Sequence, residues 1–390
     1  MTNAPVRATR TPPWRNVRVL RVIAQLVTLA VVLIIGWWLV NNLLTNMRQT
    51  RLSFGFEFLD STAGFEIGES LVPYSATDRY RDAFLVGVAN TLLISLIGII
   101  LATLLGIVTG VARLSNNWLV SKIAAGYVEL MRNTPLLVQL VLIYAVMLQL
   151  PAISNSITLP GSIFLNQRGL FLPRPVAEPG FGAWLTAIVI GVAVAIGLHV
   201  LASRREAAGQ SAGRLRLAGY GLLLAIVAGA WIATSPLGLD VPVQERFNFV
   251  GGLTISPELT ALLFGLVIYT AAFIGEVVRG GIQAVRRGQV EAAQAIGLSD
   301  RQTLRLVVFP QALRIIVPPL TSQYLNLAKN SSLAIAVGFA DLFSVSRTMA
   351  NQTGQPVSVI VLVMAAYLVI SLLTSLVMNL YNRRVQVLER

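Results

Sequence analysis

Cysteine is absent from the sequence, and histidine occurs once, as His199. These absences exclude a disulfide framework, a thiolate metal site and a histidine cluster for a metal ion, so His199 is interpreted as an interfacial residue. Charged residues are scarce, at 12% of the chain, where soluble proteins have about 25%. Hydrophobic residues make up 55%, and the mean hydropathy is +0.72. The composition therefore predicts a membrane protein.

Long apolar runs supply about eight membrane crossings, because each crossing needs about 20 apolar residues. The runs lie at 19–44, 83–112, 120–150, 181–202, 217–236, 259–279, 311–343 and 357–381. The first exceeds the apolar core of a signal peptide, and Trp37 and Trp38 stand where a cleavage site would need small residues, so we expect an uncleaved helix. The predicted fold is an all-α, polytopic bundle.

The net charge of +13 is distributed at the ends of the apolar runs rather than in a stripe beside aromatic residues, which argues against nucleic-acid binding. Arginine and lysine favour the cytoplasmic side of a membrane. We therefore expect a basic cytoplasmic tail at 1–18, an N-terminal transmembrane helix at 19–44 and a periplasmic loop at 45–82. Further periplasmic connections are expected at 151–180 and 237–258, with both termini in the cytoplasm.

Several short signals predict interruptions. Thr134-Pro135 and Pro318-Pro319 are expected to break helices. The run at 311–343 is also interrupted by Lys329 and Asn330, so one crossing followed by a broken segment is expected there. The polar stretch 203–216 is interpreted as a solvated loop between two helices.

The polar segment from Gly288 to Pro310 carries the signals of a helix, a turn and a second helix. Gly297 can take the left-handed conformation that ends a helix. Ser299 and Gln302 have the spacing of a capping box, which opens a helix. Pro310 is expected to mark a break before the next crossing. Two short helices on the membrane surface would give a partner something to hold, although an amphipathic connector has the same local pattern.

This segment resembles the EAA loop of importer-type ABC transporter permeases. The family pattern is Glu-Ala-Ala, three residues, glycine, nine residues and an Ile-x-Leu-Pro end, and the matching residues here are Glu291, Ala292, Ala293, Gly297, Val307, Phe309 and Pro310. The departures, valine for isoleucine and phenylalanine for leucine, are both apolar. In that family the loop docks on the ATP-hydrolysing subunit. The resemblance implies an ATPase-coupling loop formed by Glu291, Ala292, Ala293, Gly297 and Pro310.

Flanking segments extend the resemblance to the polar amino-acid branch of this family over about 83–145 and 258–385. They include 127–139, where Asn133 replaces the more usual glycine, and 269–289, 310–319 and 327–333. The likeness implies a type I importer, MetI-like transmembrane domain at 83–385, with an inserted segment at about 151–257 and a cytoplasmic coupling loop at 285–310. The long insertion and the additional first helix are most similar to the general L-amino-acid permeases of the Aap and Bzt type.

That resemblance implies a path for L-amino acids in a bacterial inner membrane. The implied partners are a cytoplasmic ABC ATPase, a second, different but homologous permease chain, and a periplasmic amino-acid-binding protein. The chain lacks a P-loop of its own, because neither lysine, Lys122 or Lys329, stands in a Gly-Lys-Ser/Thr motif. ATP is thus expected to be used by the partner, and no cofactor or metal is expected here.

Other classes of function predict different sequence features. An ion-gradient-driven secondary transporter or channel without an ATPase is compatible with a helical bundle alone, but it predicts no docking loop. An intramembrane enzyme would need catalytic motifs such as His-Glu-x-x-His or Gly-x-Ser-x-Gly, which the sequence lacks.

Charges beside or within the crossings are candidates for the translocation path, because a charge at bilayer depth must face protein or water. Lys329, with the polar residues that follow it, is the best candidate for a polar lining. Two pairs spaced three apart could instead be structural ion pairs. The complete candidate set is Lys329, Asn330, Ser331, Ser332, Glu129, Arg132, Glu276 and Arg279.

Overall fold

A computed structural model describes residues 17–49, 54–246 and 248–385. The predicted basic tail at 1–18 lies almost wholly outside these residues. The helices are α1 (Val17–Gln49), α2 (Tyr80–Ala112), α3 (Trp118–Asn133), α4 (Leu136–Leu148), α5 (Phe181–Ala207), α6 (Gly213–Thr234), α7 (Pro257–Gln283), α8 (Arg287–Ala295), the single turn α9 (Asp300–Thr303), α10 (Phe309–Asn330), α11 (Leu342–Thr353) and α12 (Pro356–Val385).

Seven helices in the described residues are long and apolar enough to cross a membrane, and the pair α3 and α4, bent by 107°, brings the number to eight. Each coincides with one of the predicted runs, so the helical, multi-pass fold is confirmed. The bend lies at Thr134-Pro135, as expected. The buried Gln139 stabilises it, because its Nε2 donates hydrogen bonds to the carbonyls of Met131 and Thr134, both at 2.9 Å.

Proline breaks fewer helices than predicted. Helix α10 passes through Pro318 and Pro319 without ending, and Pro310 lies in its first turn. Before Pro310 the chain forms a π-helical segment, Leu304–Val308, that continues from α9 into α10. In a π-helical segment each N–H bonds to the carbonyl five residues back instead of four. The helix can therefore continue although Pro310 has no N–H to donate. The helix ends only after Asn330, in a 3₁₀ turn at Ser331–Ala336.

The core is centred on the parallel helices α2 and α7, which approach closely because glycines face each other. A Cβ atom on Gly106 would lie 2.5 Å from Ile274 Cγ2, and one on Gly110 would lie 2.7 Å from the Gly275 carbonyl oxygen. Helix α10 runs antiparallel to α7, with Ile316 and Leu327 in the buried cluster around Ile274. Close packing of these side chains stabilises the bundle.

The insertion at about 151–257 contains short strands that the sequence analysis treated as loop. They are β1 (Ile157–Leu159), β2 (Ile163–Asn166), β3 (Gly169–Leu172), β4 (Arg174–Ala177), β5 (Leu237–Asp240), β6 (Val243–Gln244), β7 (Phe249–Val250) and β8 (Leu253–Ile255). One sheet has the order β1-β2-β3-β8, and the other pairs are β4-β5 and β6-β7, all antiparallel. Runs of two to four residues give too short an alternation to be recognised in a sequence.

These strands pair the beginning of the insertion with its end. Pairing of β3 with β8 and of β4 with β5 brings the start of α5 close to the end of α6. The two helices form an antiparallel hairpin, in which Gly191 packs on Leu223 and Gly219 on Leu198. The connection between them is only residues 208–212, so the predicted loop at 203–216 is mostly helical.

Residues 54–79, here called the strap, fold across one end of the bundle. Phe58 and Ala63 of the strap are buried with Tyr80, Met349 and Val359, which belong to α2, α11 and α12. We call this end of the bundle the strap end, and the opposite end, which carries α8, the loop end. Helix α1, in contrast, has no buried part in its apolar window.

We predict that Gly110→Ala destabilises the protein, because the new Cβ would overlap the Gly275 carbonyl and the Val278 side chain, both 2.7 Å away. Overpacking of this kind costs about 1–3 kcal/mol. Thermal unfolding of the purified protein in detergent measures the effect. Gly126→Ala is the matched control, because it meets nothing within 4 Å and lies within α3. Equal melting temperatures for the two variants would contradict the predicted packing.

Candidate functional site

The segment after α7 folds as the sequence predicts at its turn. Gly297 has φ of +86°, and the N–H of Leu298 donates to the Ala293 carbonyl at 3.1 Å. The Gly297 N–H also donates to the Gln294 carbonyl at 2.9 Å. These two bonds form a Schellman motif, which satisfies the last carbonyls of α8. A residue with a side chain would be strained at Gly297.

The next helix begins with the predicted capping box. The Gln302 N–H donates to Ser299 Oγ at 3.4 Å, while the Ser299 N–H donates to Gln302 Oε1 at 2.9 Å. A further hydrogen bond, from Gln294 Nε2 to Asp300 Oδ1 at 3.1 Å, ties α8 to this helix start. The second helix is not short, however, because it continues through the π-helical segment into α10. The loop is therefore joined rigidly to a membrane helix.

Helix α8 has one face toward the bundle and one face open. Val290 packs against the buried cluster that contains Val285 and Val308, and Ala293 is only 4% exposed. Glu291, Ala292 and Gly297 are exposed. Beside them Ile296 is 79% exposed, which the sequence analysis did not single out. The open face thus combines one acid, a small residue, a backbone turn and an apolar side chain.

A charged cluster lies at the ends of α2, α3 and α7 nearest the loop. Glu276 accepts hydrogen bonds from Arg113 and Arg279 and so pairs with both; Arg279 Nε lies 3.1 Å from its Oε1. Burial, followed by the charge of Arg279, lowers the pKa of the Arg113 guanidinium, and Glu129 opposes this effect. Arg132 lies 5.4 Å from the centre of the Phe273 ring instead of pairing with Glu129. The cluster therefore unites four of the predicted residues with Arg113.

The four polar residues at the end of α10 do not share one environment. Lys329 is exposed, and Asn330 and Ser332 are half-buried. Ser331 is fully buried and its hydroxyl donates to the Ala328 carbonyl at 2.8 Å. Lys329 shares its exposed face with Asn326 and Ser322, one and two turns earlier, and Pro318 and Pro319 extend that face. The i, i+4, i+7 spacing of Ser322, Asn326 and Lys329 is the sequence signal for this polar face.

Asp341 is a further residue that the sequence analysis did not identify. It is fully buried between α2 and α12. Its Oδ1 accepts the Ser344 N–H at 2.9 Å and so caps α11, and Tyr367 OH donates to its Oδ2 at 3.4 Å. Thr91 Oγ1 accepts the N–H of Leu342 at 3.0 Å. A single acid within the apolar run was the signal for this buried site.

Comparison with known proteins places these features in a family. The family model described as the inner membrane component of binding-protein-dependent transport systems matches residues 102–387. The chain belongs to this family. The matched residues include the loop, the charged cluster and the polar face of α10, whereas α1 and the strap precede them. The permease is thus a membrane transport subunit, and ATP hydrolysis belongs to a separate subunit.

Relatives resemble the permease over nearly their whole length. It is 44% identical to the general L-amino acid transport system permease protein AapQ of Rhizobium johnstonii, covering 94% of this chain and 92% of the relative. It is also 44% identical to the putative amino-acid ABC transporter permease YhdX of Escherichia coli, covering 94% and 93%. BztB of Rhodobacter capsulatus, a glutamate/glutamine/aspartate/asparagine transport system permease, is 38% identical, with 90% of each chain covered.

We predict that Glu276→Gln destabilises the permease, because Arg113 and Arg279 would lose the partner that they share. Breaking a fully buried pair costs about 3–5 kcal/mol, and we expect about 1–3 kcal/mol here because solvent screens a partly exposed site. The Glu276 side chain is 25% exposed. Thermal unfolding in detergent measures the loss. Glu129→Gln is the matched control and should have little effect, since Glu129 is exposed and forms no ion pair within the described chain. A change in melting temperature as large for Glu129→Gln would refute the assignment.

Proposed function

We propose that this permease forms the translocation path for L-amino acids in an ATP-driven importer. The observation that carries the proposal is the 44% identity, over 94% of the chain, to a permease of a general L-amino-acid transport system. The exposed polar face of α10 supports it chemically. A zwitterionic amino acid needs partners for a carboxylate and an ammonium group, and Lys329 offers a positive charge beside the amide of Asn326.

The same face supports a second permease chain as partner. Lys329, Asn326 and Ser322 are exposed on a helix at bilayer depth. A lysine or asparagine facing lipid is costly, so a protein or a water-filled path must cover this face. A second, homologous permease chain covers it in the proposed complex, and the path lies between the two chains.

The loop end is the proposed docking site for the ATPase. Glu291, Ala292 and Gly297, which the family resemblance implied, are exposed there, together with Ile296. Ala293 is buried and supports the loop from within, whereas Pro310 is exposed in the first turn of α10. Because α7 leads into the loop and α9 leads directly into α10, a force on the loop reaches two core helices at once. Nucleotide-dependent movement of the ATPase could therefore change the path.

This arrangement also sets the proposed orientation. The loop end faces the cytoplasm, where the ATPase is, and both termini lie on that side. The strap and the strands of the insertion then face the periplasm, where an amino-acid-binding protein delivers the substrate. Arginines near the loop end, among them Arg286, Arg287 and Arg301, support this orientation by the positive-inside rule.

The function is tested with the complex purified through this chain and reconstituted in vesicles. Uptake of radiolabelled amino acids should require ATP on the side of the membrane where the ATPase is bound. The binding protein should increase the rate of uptake. Uptake driven by a proton or sodium gradient without ATP would overturn the proposal in favour of a secondary transporter.

We predict that replacing Glu291 by Trp and Gly297 by Val abolishes uptake while leaving the permease in the membrane. The first change blocks the open face, and the second forces a β-branched residue into a φ of +86°. Co-purification of the ATPase with the tagged permease measures docking. Gly288→Ala, on the same loop with open space around it, should retain the ATPase. Normal uptake by the double variant would refute the docking site.

We predict that Lys329→Gln lowers the initial rate of uptake by about tenfold, because a hydrogen bond between charged groups contributes roughly 1.5–3 kcal/mol. The ATPase should remain bound, since Lys329 is remote in sequence from the loop. Lys122→Gln removes the other lysine of the chain, which lies on α3, and serves as control. Equal uptake by the two variants would exclude Lys329 from the path.

A further inference from the structure

Glu69 of the strap bridges two membrane helices at the strap end. Its backbone carbonyl accepts a hydrogen bond from Asn90 Nδ2 of α2 at 2.8 Å. Its side-chain Oε1 accepts the backbone N–H of Ser256 at 2.8 Å. Ser256 is the residue that caps the start of α7, where its Oγ accepts the Leu259 N–H at 3.0 Å. Glu69 therefore connects the strap to both central helices.

Asn90 connects Glu69 to a third segment of the chain. The same Nδ2 that contacts Glu69 also donates to the carbonyl of Ala340 at 2.8 Å. Ala340 lies in the turn that precedes α11, and Asn90 is 2% exposed. The strap, α2, the start of α7 and the turn before α11 thus meet through two side chains.

The strap is packed against α2, α11 and α12, but its packing does not include α7. Hydrogen bonds from Ala63 to Asp78 and from Gly64 to Ala76, at 2.8 and 2.9 Å, close it into a loop. Its buried residues pack on α2, α11 and α12, and no α7 residue belongs to that cluster. Contact with α7 depends instead on the carboxylate of Glu69.

The contact between Glu69 and α7 is finely balanced. A carboxylate beside a helix N-terminus is favourable, and Oε1 gains a hydrogen bond. Its other oxygen, Oε2, is buried and has no hydrogen-bond partner among the described residues. A buried, unsatisfied carboxylate oxygen is unfavourable. The unsatisfied oxygen makes this contact weaker than that of a carboxylate with both oxygens hydrogen-bonded.

Helix α7 connects this contact to the coupling loop. It runs from Pro257 to Gln283, and only three residues separate its end from α8. Close glycine packing on α2 makes a rigid element of its central part. A displacement of α8 is therefore carried along α7 to Ser256, at the opposite end of the bundle.

We propose that Glu69 is a positioning residue that holds α7 against the strap in the resting state and releases it when the transport cycle opens the strap end. The proposal rests on the proposed importer function. It assigns a role to the strap, which lies outside the residues matched by the family model. Release of Ser256 separates the strap from the start of α7, while the rest of the strap stays in place.

The first test compares ATPase activity of the reconstituted complex with and without its binding protein. Glu69→Ala should raise the activity without binding protein by about tenfold, within the usual range of coupling between sites, and so lower the stimulation ratio. Glu69→Gln keeps an oxygen that can accept the Ser256 N–H, so its ratio should stay nearer to wild type. Glu66→Ala, an exposed acid of the same strap, is the matched control. A wild-type ratio for Glu69→Ala would overturn the proposal, as would a merely lower yield of complex with normal regulation.

The second test holds the contact closed. The natural chain has no cysteine, so the double variant Glu69→Cys, Ser256→Cys contains the only two cysteines of this chain. A short, reducible bis-thiosulfonate linker across that pair should abolish uptake, and reduction should restore it to the level of the unlinked variant. Undiminished uptake by the linked complex would overturn the proposal. Wild-type complex that fails to import amino acids with ATP would instead refute the proposed function, so the two failures are distinguishable.

Discussion

The close contact between α2 and α7 is the constraint on which the rest of the bundle depends. Gly106, Gly110 and Gly275 let the two backbones approach until side chains of one helix lie on the backbone of the other. In lipid, helices gain little by hiding apolar surface from one another, so close packing of small residues is a main source of association. The pair supports α10 on one side, and α2 also supports the strap at one end.

The helices could be predicted from the sequence because each crossing is a long apolar run. The turn at Gly297 could be predicted because a glycine at a helix end and a capping box depend only on residues close together in the chain. Prediction failed where the outcome depends on neighbours. Pro318 and Pro319 resemble breaks in isolation, yet the packed helix continues through them. Strands β3 and β8 lie about 80 residues apart in the chain, and no local pattern reveals such a pairing. The roles of Asn90 and Glu69 likewise depend on contacts between distant segments.

Polar residues in this chain fall into two physical situations. Asp341, Ser331 and Asn90 are buried, and each has hydrogen-bond partners from its own chain that satisfy it within an apolar bundle. Lys329, Asn326 and Ser322 are exposed on the membrane helix α10. A residue in the first situation stabilises the subunit, and a residue in the second faces the partner chain or the substrate in the proposed complex. Sequence alone assigns both to one class, because an isolated polar residue in an apolar run looks the same in either case.

The same distinction between satisfied and unsatisfied polar groups applies to the two ends of α7. Toward the loop end, Glu276 accepts hydrogen bonds from Arg279 of α7 itself and from Arg113 at the end of α2, so one charge-assisted pair joins the two helices there. At the strap end, the carboxylate of Glu69 has one satisfied oxygen and one unsatisfied oxygen. The start of α7 also packs on α2 and α4 through the fully buried Leu262 and Leu266, so its contact with the strap is the weaker of its attachments. In the proposed transport cycle, a displacement of α7 that begins at the proposed coupling loop therefore releases the contact between the strap and Ser256 first.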